Sequence, residues 1–211
     1  MKNKGIKFLA AFVLWTCLIM NVDVQKAGES GTEVGLAAIN TWFHELTGVH
    51  MQLYTMTDWL GLVPVGICII FGMIGLIQLI KRKGLRKVDA DLLLLGIYYV
   101  VVIFGYLIFE MIPINYRPIL IEGRVEASYP SSTTLLVLSV MPTLVYQANR
   151  RLKSFTIKRT ILAVTIVFSA FMVIGRLISG VHWLTDIVGS VLLSTGLFWI
   201  YQEMIRVFEK K

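Results

Sequence analysis

The sequence contains few charged residues and little cysteine. Asp, Glu, Lys and Arg make up 16% of the 211 residues, whereas 56% are hydrophobic and the mean hydropathy is +0.74. A water-soluble domain of this length would need far more polar surface, so this composition excludes the ordinary soluble class. The two cysteines, Cys17 and Cys68, both lie in apolar runs. Their placement argues against a disulfide framework or a cysteine metal site, and we expect two small buried hydrophobes.

Long apolar runs dominate the sequence instead. A hydrocarbon core of ~30 Å needs roughly 20 apolar residues in a helix. Six runs approach that length: 8–22, 59–80, 91–112, 132–146, 160–179 and 183–205. We therefore predict an all-α membrane protein with six transmembrane helices. The first run could instead be a cleaved signal peptide, but no small-residue cleavage site follows it, which favours a retained anchor.

Basic residues give the chain a net charge of +7, but they do not form a nucleic-acid-binding face. They occur in short clusters between the apolar runs. If the six spans alternate, sixteen of the twenty lysines and arginines fall on one side, and the exceptions are Lys26, Arg117, Arg124 and Arg176. Positive residues tend to remain in the cytoplasm. We therefore predict that both termini are cytoplasmic and that the four exceptions face outside.

The segment between the first two spans contains a second kind of pattern. Residues 34–46 place apolar side chains at roughly helical spacing, which predicts an amphipathic helix on the membrane surface or across the end of the bundle. We divide the chain into residues 1–58, the anchor with this outer loop, and residues 59–211, the transmembrane core. His44 and His50 lie in the outer loop, and we expect them to be solvated or packed.

Ionisable side chains at membrane depth are costly and by default mark a functional site. His182 and Asp186 stand at the start of the last span, four residues apart, so they share one helix face. A carboxylate beside an imidazole suits a histidine that acts as a nucleophile or base, although the pair could also merely cap the helix. Arg176 precedes His182 by six residues, across a turn, and we expect it at the same edge of the bundle.

Two further outward stretches carry polar residues. One contains Arg117, and in the other Pro130 precedes Ser131 and Ser132. Proline followed by hydroxyl residues is typical of a helix N terminus, whose free N–H groups bind anions, although the hydroxyls could serve only as caps. Two arginines, a helix N terminus and an oriented histidine at one membrane face predict a phosphate site without a metal.

These motifs resemble the three-part signature of the type 2 phosphatidic acid phosphatase family. That family is related to vanadium haloperoxidases and includes lipid-phosphate and polyprenyl-diphosphate phosphatases. The similarity runs over about residues 85–205, and its parts are Arg117-Pro118, Pro130-Ser131 and Arg176-x5-His182-x3-Asp186. The third part is the most informative, because it has three residues at two fixed spacings. The resemblance implies a six-helix bundle with its site on the outer face.

The resemblance also implies a role for each residue of the site. His182 would attack phosphorus and carry the phosphoryl group, and Asp186 would orient it. The phosphate oxygens would be held by Arg117, Arg176, Ser131 and neighbouring groups including Ser132. No metal or cofactor is implied. The expected activity is hydrolysis of a lipid phosphate or diphosphate in a plasma membrane.

The sequence departs from the family pattern in two motifs. Glu110 stands where the family has lysine, and Ser132 and Thr133 stand where it has glycine and histidine. A milder change puts Gly175 where a serine is expected. The missing histidine is the family's general acid, and general acid catalysis contributes about 10²–10⁴-fold to a rate. Thr133 cannot take over this task.

Several functions therefore stay open. Arg124 could replace the missing cation, and Glu122 or Glu126 the missing acid, while Glu110 and Thr133 are further auxiliary candidates. The protein could be a phosphatase for substrates with good leaving groups, such as polyprenyl diphosphates. It could instead be a catalytically weak or silent protein that binds lipid phosphates. A small transporter is disfavoured, because the polar residues lie at span ends and no paired halves occur.

Overall fold

Each apolar run forms a helix in the computed structural model, which describes residues 3–209. The helices are α1 (Lys4–Asn21), α2 (Ala37–Thr47), α3 (Met51–Leu60), α4 (Leu62–Arg82), α5 (Ala90–Met111), α6 (Ser132–Arg151), α7 (Phe155–Ile178) and α8 (Leu184–Glu209). Strands β1 (Gln25–Ala27) and β2 (Thr32–Val34) form a short antiparallel hairpin after α1. The predicted helical membrane class is confirmed.

The spans differ from the prediction in two details. Within residues 3–209, five segments are long and apolar enough to cross a membrane: Lys4–Asn21, Met51–Arg82, Ala90–Met111, Phe155–Ile178 and Leu184–Phe208. The predicted fourth span is α6, which is 20 residues long but more polar. It packs against α4, α5, α7 and α8 and buries most of its hydroxyl side chains and the amide of Gln147 there. The second span starts earlier than predicted, because only Gly61 separates α3 from α4.

Helix α1 packs along α8, and two glycines allow the close approach. A Cβ added at Gly5 would lie 2.6 Å from the Ile200 side chain, and one added at Gly196 would lie 2.7 Å from the Leu9 side chain. Small residues at a crossing let helix backbones approach closely, as is common between membrane helices. The predicted N-terminal anchor is therefore packed into the bundle.

Helix α2 occupies most of the segment predicted as an amphipathic helix. Its buried Asn40 donates to the hydroxyl of Thr185 (3.0 Å) and accepts from the backbone N–H of Thr185 (3.2 Å). These bonds hold α2 across the start of α8, while Leu46 on its other side is exposed. His44 is half-buried and His50 is exposed, in agreement with the packed and solvated roles expected for them.

A tight turn joins α7 to α8 and carries His182. Gly180 in this turn has a φ of +71°, and a Cβ added there would lie 2.1 Å from the carbonyl oxygen of Gly48. The backbone N–H of His50 donates to the carbonyl oxygen of Ser179 (3.0 Å). The turn is thus held against the α2–α3 connection by backbone contacts that leave no room for a side chain.

We expect the substitution Gly180→Ala to lower the free energy of unfolding by at least about 1–3 kcal/mol, because the methyl group adds a clash to a strained φ. Thermal unfolding in detergent measures the loss. Gly123→Ala is the matched control, since Gly123 has a φ of +74° but no neighbour within 4 Å in the described residues. Equal losses in the two variants would contradict a role for the contact with Gly48.

The opposite end of the bundle carries ion pairs. Arg151 Nη2 lies 2.6 Å from the carboxylate of the buried Asp91, and Arg82 Nη1 lies 2.7 Å from Asp89. These pairs join the end of α4, the start of α5 and the end of α6. Because a 20-residue helix is about 30 Å long, they lie far from the turn that carries His182. Three of the predicted cytoplasmic residues, Lys2, Lys210 and Lys211, fall outside the described residues.

Candidate active site

The α7–α8 turn places the imidazole of His182 inside the protein, with 3% of the residue exposed. Its Nε2 lies 3.4 Å from Nη2 of Arg176, and its Nδ1 lies 3.2 Å from the carbonyl oxygen of Ser128. A guanidinium only donates hydrogen bonds, so Nε2 is the acceptor and the proton is assigned to Nδ1, which donates to the carbonyl. The unprotonated nitrogen of the ring therefore faces a cation.

The charge state of this ring follows from its surroundings. Burial, followed by the positive charges of Arg117 and Arg176, holds the pKa of His182 well below its usual range. The carbonyl oxygen of Ser128 opposes this shift. The imidazole is accordingly uncharged at neutral pH. Its Nε2 lone pair is available to form a bond, which is what a nucleophilic histidine requires.

Asp186 lies in the first turn of α8, beside this ring. Its Oδ2 accepts a hydrogen bond from the backbone N–H of Trp183 (2.8 Å) and lies 3.6 Å from Nδ1 of His182. The N–H of Ser131 donates to the backbone carbonyl of Asp186 (3.3 Å). Asp186 thus caps the start of α8 and places a carboxylate near Nδ1. The orientation of the ring, which the sequence assigned to Asp186, is shared with the carbonyl of Ser128.

Arg117 and Arg176 reach the site from different parts of the chain. Arg176 is 1% exposed, and Arg117 Nε lies 3.0 Å from the carboxylate of Glu126. Among the contacts of the described residues, Nη1 of each arginine and Nε of Arg176 have no hydrogen-bond partner. Buried N–H groups without partners are costly, and nearly all such groups in proteins are satisfied. This pair of arginines therefore favours an anionic ligand.

Tyr54 of α3 was not among the predicted site residues. Its ring centroid lies 5.7 Å from the guanidinium carbon of Arg117 and 4.8 Å from that of Arg176. Cation–π contact of this kind offsets part of the repulsion between two neighbouring cations. The residue belongs to α3, far from both arginines in the chain, so no local spacing in the sequence could have linked them.

A cavity of about 290 Å³ opens beside His182. We call it the polar cavity, and its lining includes Glu110, Arg117, Glu126, Ser132 and His182. The fold thus brings together the predicted nucleophile, one predicted arginine, one predicted hydroxyl and two of the auxiliary carboxylates. Arg176 is joined to this group through its contact with Nε2 of His182.

Three predicted residues lie elsewhere. The hydroxyl of the fully buried Ser131 donates to the hydroxyl of Thr134 (3.1 Å), so its side chain lies outside the polar cavity. Its carbonyl oxygen accepts from Ser190 of α8 (2.9 Å), which explains why the residue is turned into the bundle. Thr133 lines a neighbouring cavity, and Arg124 lies in an exposed turn. The predicted phosphate contact of the Ser131 hydroxyl is therefore corrected.

Helix α6 begins beside this cavity. Ser132 is the first residue of the helix and lines the polar cavity. The side chain of its N-cap residue, Ser131, makes no capping hydrogen bond. The N–H groups of the first turn and the positive end of the helix dipole therefore remain available to an anion.

A second cavity, of about 460 Å³, adjoins the first and lies between α4, α5 and α6. We call it the apolar cavity, because apolar side chains supply most of its lining, among them Leu62, Val65 and Leu136. Tyr106 and Ser132 line both cavities and so mark the boundary between them. A molecule with an anionic head and a hydrocarbon tail matches this pair of spaces.

Comparison with known proteins agrees with this arrangement. The family model of the PAP2 superfamily matches residues 92–209, more than half of the chain. The chain belongs to the PAP2 superfamily. The family resemblance predicted from the sequence motifs is thereby confirmed, and the matched PAP2 region contains His182, Asp186 and both site arginines.

The structure of this PAP2 protein is also similar to the crystal structure of a transmembrane PAP2 type phosphatidylglycerolphosphate phosphatase from Bacillus subtilis. The two share 18% sequence identity with a TM-score of 0.59, over 97% of this chain and 96% of the other. At this identity the similarity shows a common fold. No curated protein matches the sequence.

Proposed function

We propose that this PAP2 protein is a membrane phosphohydrolase that removes phosphate from a lipid phosphate or diphosphate through a phosphohistidine intermediate. The observation that carries the proposal is the buried contact between the uncharged Nε2 of His182 and the guanidinium of Arg176 at 3.4 Å. The adjoining apolar cavity supports a lipid as the substrate. The similar Bacillus subtilis protein is a phosphatidylglycerolphosphate phosphatase, which supports the same substrate class.

The proposed reaction has two steps. In the first, the Nε2 lone pair of His182 attacks phosphorus, and the P–O bond to the leaving group breaks with its electron pair staying on the departing oxygen. The proton on Nδ1 stays near Ser128 and Asp186. Arg117, Arg176 and the N terminus of α6 stabilise the charge on the phosphoryl oxygens. In the second step, water attacks phosphorus, the P–N bond breaks, and inorganic phosphate leaves.

The leaving group decides which substrates react without further help. Departure of an alkoxide from a monoester requires a proton, and Thr133 offers none. A diphosphate such as a polyprenyl diphosphate expels a phosphate group, which is a far weaker base than an alkoxide. We therefore propose that diphosphates react even without a general acid, whereas alkyl monoesters depend on one.

We also propose that the site faces the outside of a plasma membrane and that both termini are cytoplasmic. The support is the distribution of basic residues along the chain. The ion-paired end of the bundle, which includes Arg82 and Arg151, is then the cytoplasmic end. His182 lies at the opposite end, so the lipid head group would be hydrolysed on the outer face.

A second candidate function is binding of lipid phosphate without turnover. Two observations favour it: Thr133 stands where a general acid is expected, and the hydroxyl of Ser131 points away from the polar cavity. The buried pair of His182 with Asp186 argues against a binding protein, because binding alone does not require a neutral imidazole among cations.

Phosphate release by the detergent-purified protein distinguishes the two candidates. The substrates are phosphatidic acid, phosphatidylglycerophosphate, a polyprenyl diphosphate and a soluble aryl phosphate. We expect release from the polyprenyl diphosphate and the aryl phosphate, whose leaving groups need little protonation, and release from the two alkyl monoesters only where another residue supplies the proton. The phosphoenzyme should be labile to acid, as expected of a P–N bond, and should be trapped by rapid acid-free quenching. Binding of the lipids without release from any substrate would contradict the proposal and establish the binding protein instead.

A further inference from the structure

We propose that Asp58 is the general acid of this site, and that it extends the substrate range to alkyl phosphate monoesters. The inference rests on the proposed phosphohydrolase function. Asp58 lies near the C-terminal end of α3, and its Oδ1 is 3.6 Å from Nη1 of Arg176. The other terminal nitrogen of the same guanidinium, Nη2, lies 3.4 Å from Nε2 of His182.

This geometry places an acid and a nucleophile at the two ends of one cation. A phosphoryl group held by Arg176 would be flanked by the imidazole and the carboxyl group. In-line displacement requires the nucleophile and the leaving oxygen on opposite sides of phosphorus. A carboxyl group across the guanidinium from Nε2 is therefore on the side where the leaving oxygen departs.

The positions of the two cavities also favour Asp58 as the general acid. The leaving oxygen joins phosphorus to the lipid, so it must lie where the polar cavity meets the apolar cavity. Asp58 lines the apolar cavity, as do Ser132 and Thr133, and it also contacts Arg176 of the phosphate site. A Cβ added at Gly61 would lie 3.5 Å from the methyl group of Thr133 and 2.9 Å from the carbonyl oxygen of Asp58, which places these residues side by side.

The other nearby carboxylates fit the task less well. Glu110 and Glu126 line the polar cavity, whereas the lining of the apolar cavity includes Asp58. Glu126 is also held against Nε of Arg117 at 3.0 Å, a contact that keeps its carboxylate away from the apolar cavity. Asp58 is 58% exposed and lies beyond hydrogen-bonding distance of Arg176, so its side chain can turn toward a bound substrate.

The proton and electron balance of the reaction is complete with this residue. As Nε2 of His182 forms its bond to phosphorus, the P–O bond to the lipid breaks and its electron pair stays on the oxygen. The protonated carboxyl of Asp58 transfers its proton to that oxygen, which gives the alcohol and a carboxylate. In the second step water attacks phosphorus, the P–N electron pair returns to Nε2, and the proton that the water loses passes to solvent. Solvent returns a proton to the Asp58 carboxylate, whose side chain is 58% exposed, so the second step does not depend on Asp58.

The test compares leaving groups in Asp58→Asn. We expect kcat for phosphatidic acid to fall by about 10²–10⁴-fold, the usual contribution of a general acid. The kcat for an aryl phosphate and for a polyprenyl diphosphate should change by less than about threefold, because these leaving groups need little protonation. Asp58→Glu should restore part of the activity on phosphatidic acid.

Matched variants make each outcome decisive. Glu110→Gln and Glu126→Gln are assayed on the same substrates, and a loss confined to the alkyl monoester in either variant would overturn the assignment to Asp58. Equal losses on all substrates in Asp58→Asn, with a raised KM, would show that Asp58 only positions Arg176. Unchanged activity would also refute the proposal. An inactive wild-type protein would refute the phosphohydrolase function itself.

Discussion

Replacing His182 by alanine should lower phosphate release from every substrate by on the order of 10⁴-fold or more, because the bond to phosphorus can no longer form. The phosphoenzyme should disappear in the same variant. Rapid acid-free quenching with a radiolabelled substrate measures the intermediate, and phosphate release measures turnover. His182→Asn, which fills more of the space left by the ring, should be equally inactive.

His50→Ala is the control for this result. His50 is exposed and lies outside the polar cavity, so its removal should leave turnover and the phosphoenzyme in place. Melting temperatures in detergent should show that both His182 variants remain folded. Substantial turnover by a folded His182→Ala protein would show that another group attacks phosphorus and would remove the basis of the proposed reaction.

Arg176→Met should abolish most activity and at the same time raise the melting temperature. Removing a donor to the phosphoryl oxygens typically costs about 10²–10³-fold in kcat. The guanidinium is 1% exposed, and its Nε and Nη1 lack hydrogen-bond partners among residues 3–209. A charge buried in this way is unfavourable in the protein without substrate, so an apolar side chain of similar length should stabilise it.

Arg151→Met provides a control that should respond in the opposite direction. Arg151 pairs with the buried Asp91 at 2.6 Å, at the other end of the bundle. Its loss leaves that carboxylate with weaker pairing and should lower the melting temperature, while kcat stays near the wild-type value. If Arg176→Met lowered the melting temperature as much as Arg151→Met does, Arg176 would be a structural residue. The proposal that its unpaired N–H groups form an anion-binding site would then be wrong.

The extent of the transmembrane helices was largely predictable, because membrane spans depend on local composition. The predicted start of α6 at residue 132 agrees with the structure, and so does the approximate extent of α5. The length of α6 was underestimated, since many of its polar residues are buried inside the bundle rather than exposed to lipid. Burial of that kind depends on neighbouring helices, so it cannot be predicted from the hydropathy of the segment itself.

The candidate site was predicted in part. Arg117, Arg176, His182 and Asp186 were identified from spacing, and the structure places them together, while their catalytic roles stay predictions. The partner of Nδ1 was not identified, because the Ser128 carbonyl is a backbone group that no motif could reveal. The Ser131 hydroxyl, which was expected to hold phosphate, donates instead to the hydroxyl of Thr134 and does not line the polar cavity.

The sequence by itself determined that the chain is a helical membrane protein and which family it resembles, and it predicted the residues of the candidate site. These properties depend on run lengths and fixed spacings between near neighbours. The tertiary structure alone decided that the ring of Tyr54 contacts two arginines. It also decided that Asp58 and His182 contact the two terminal nitrogens of the Arg176 guanidinium. Those contacts join α3 to parts of the chain that are distant in sequence, and only the packing of the whole bundle sets their distances.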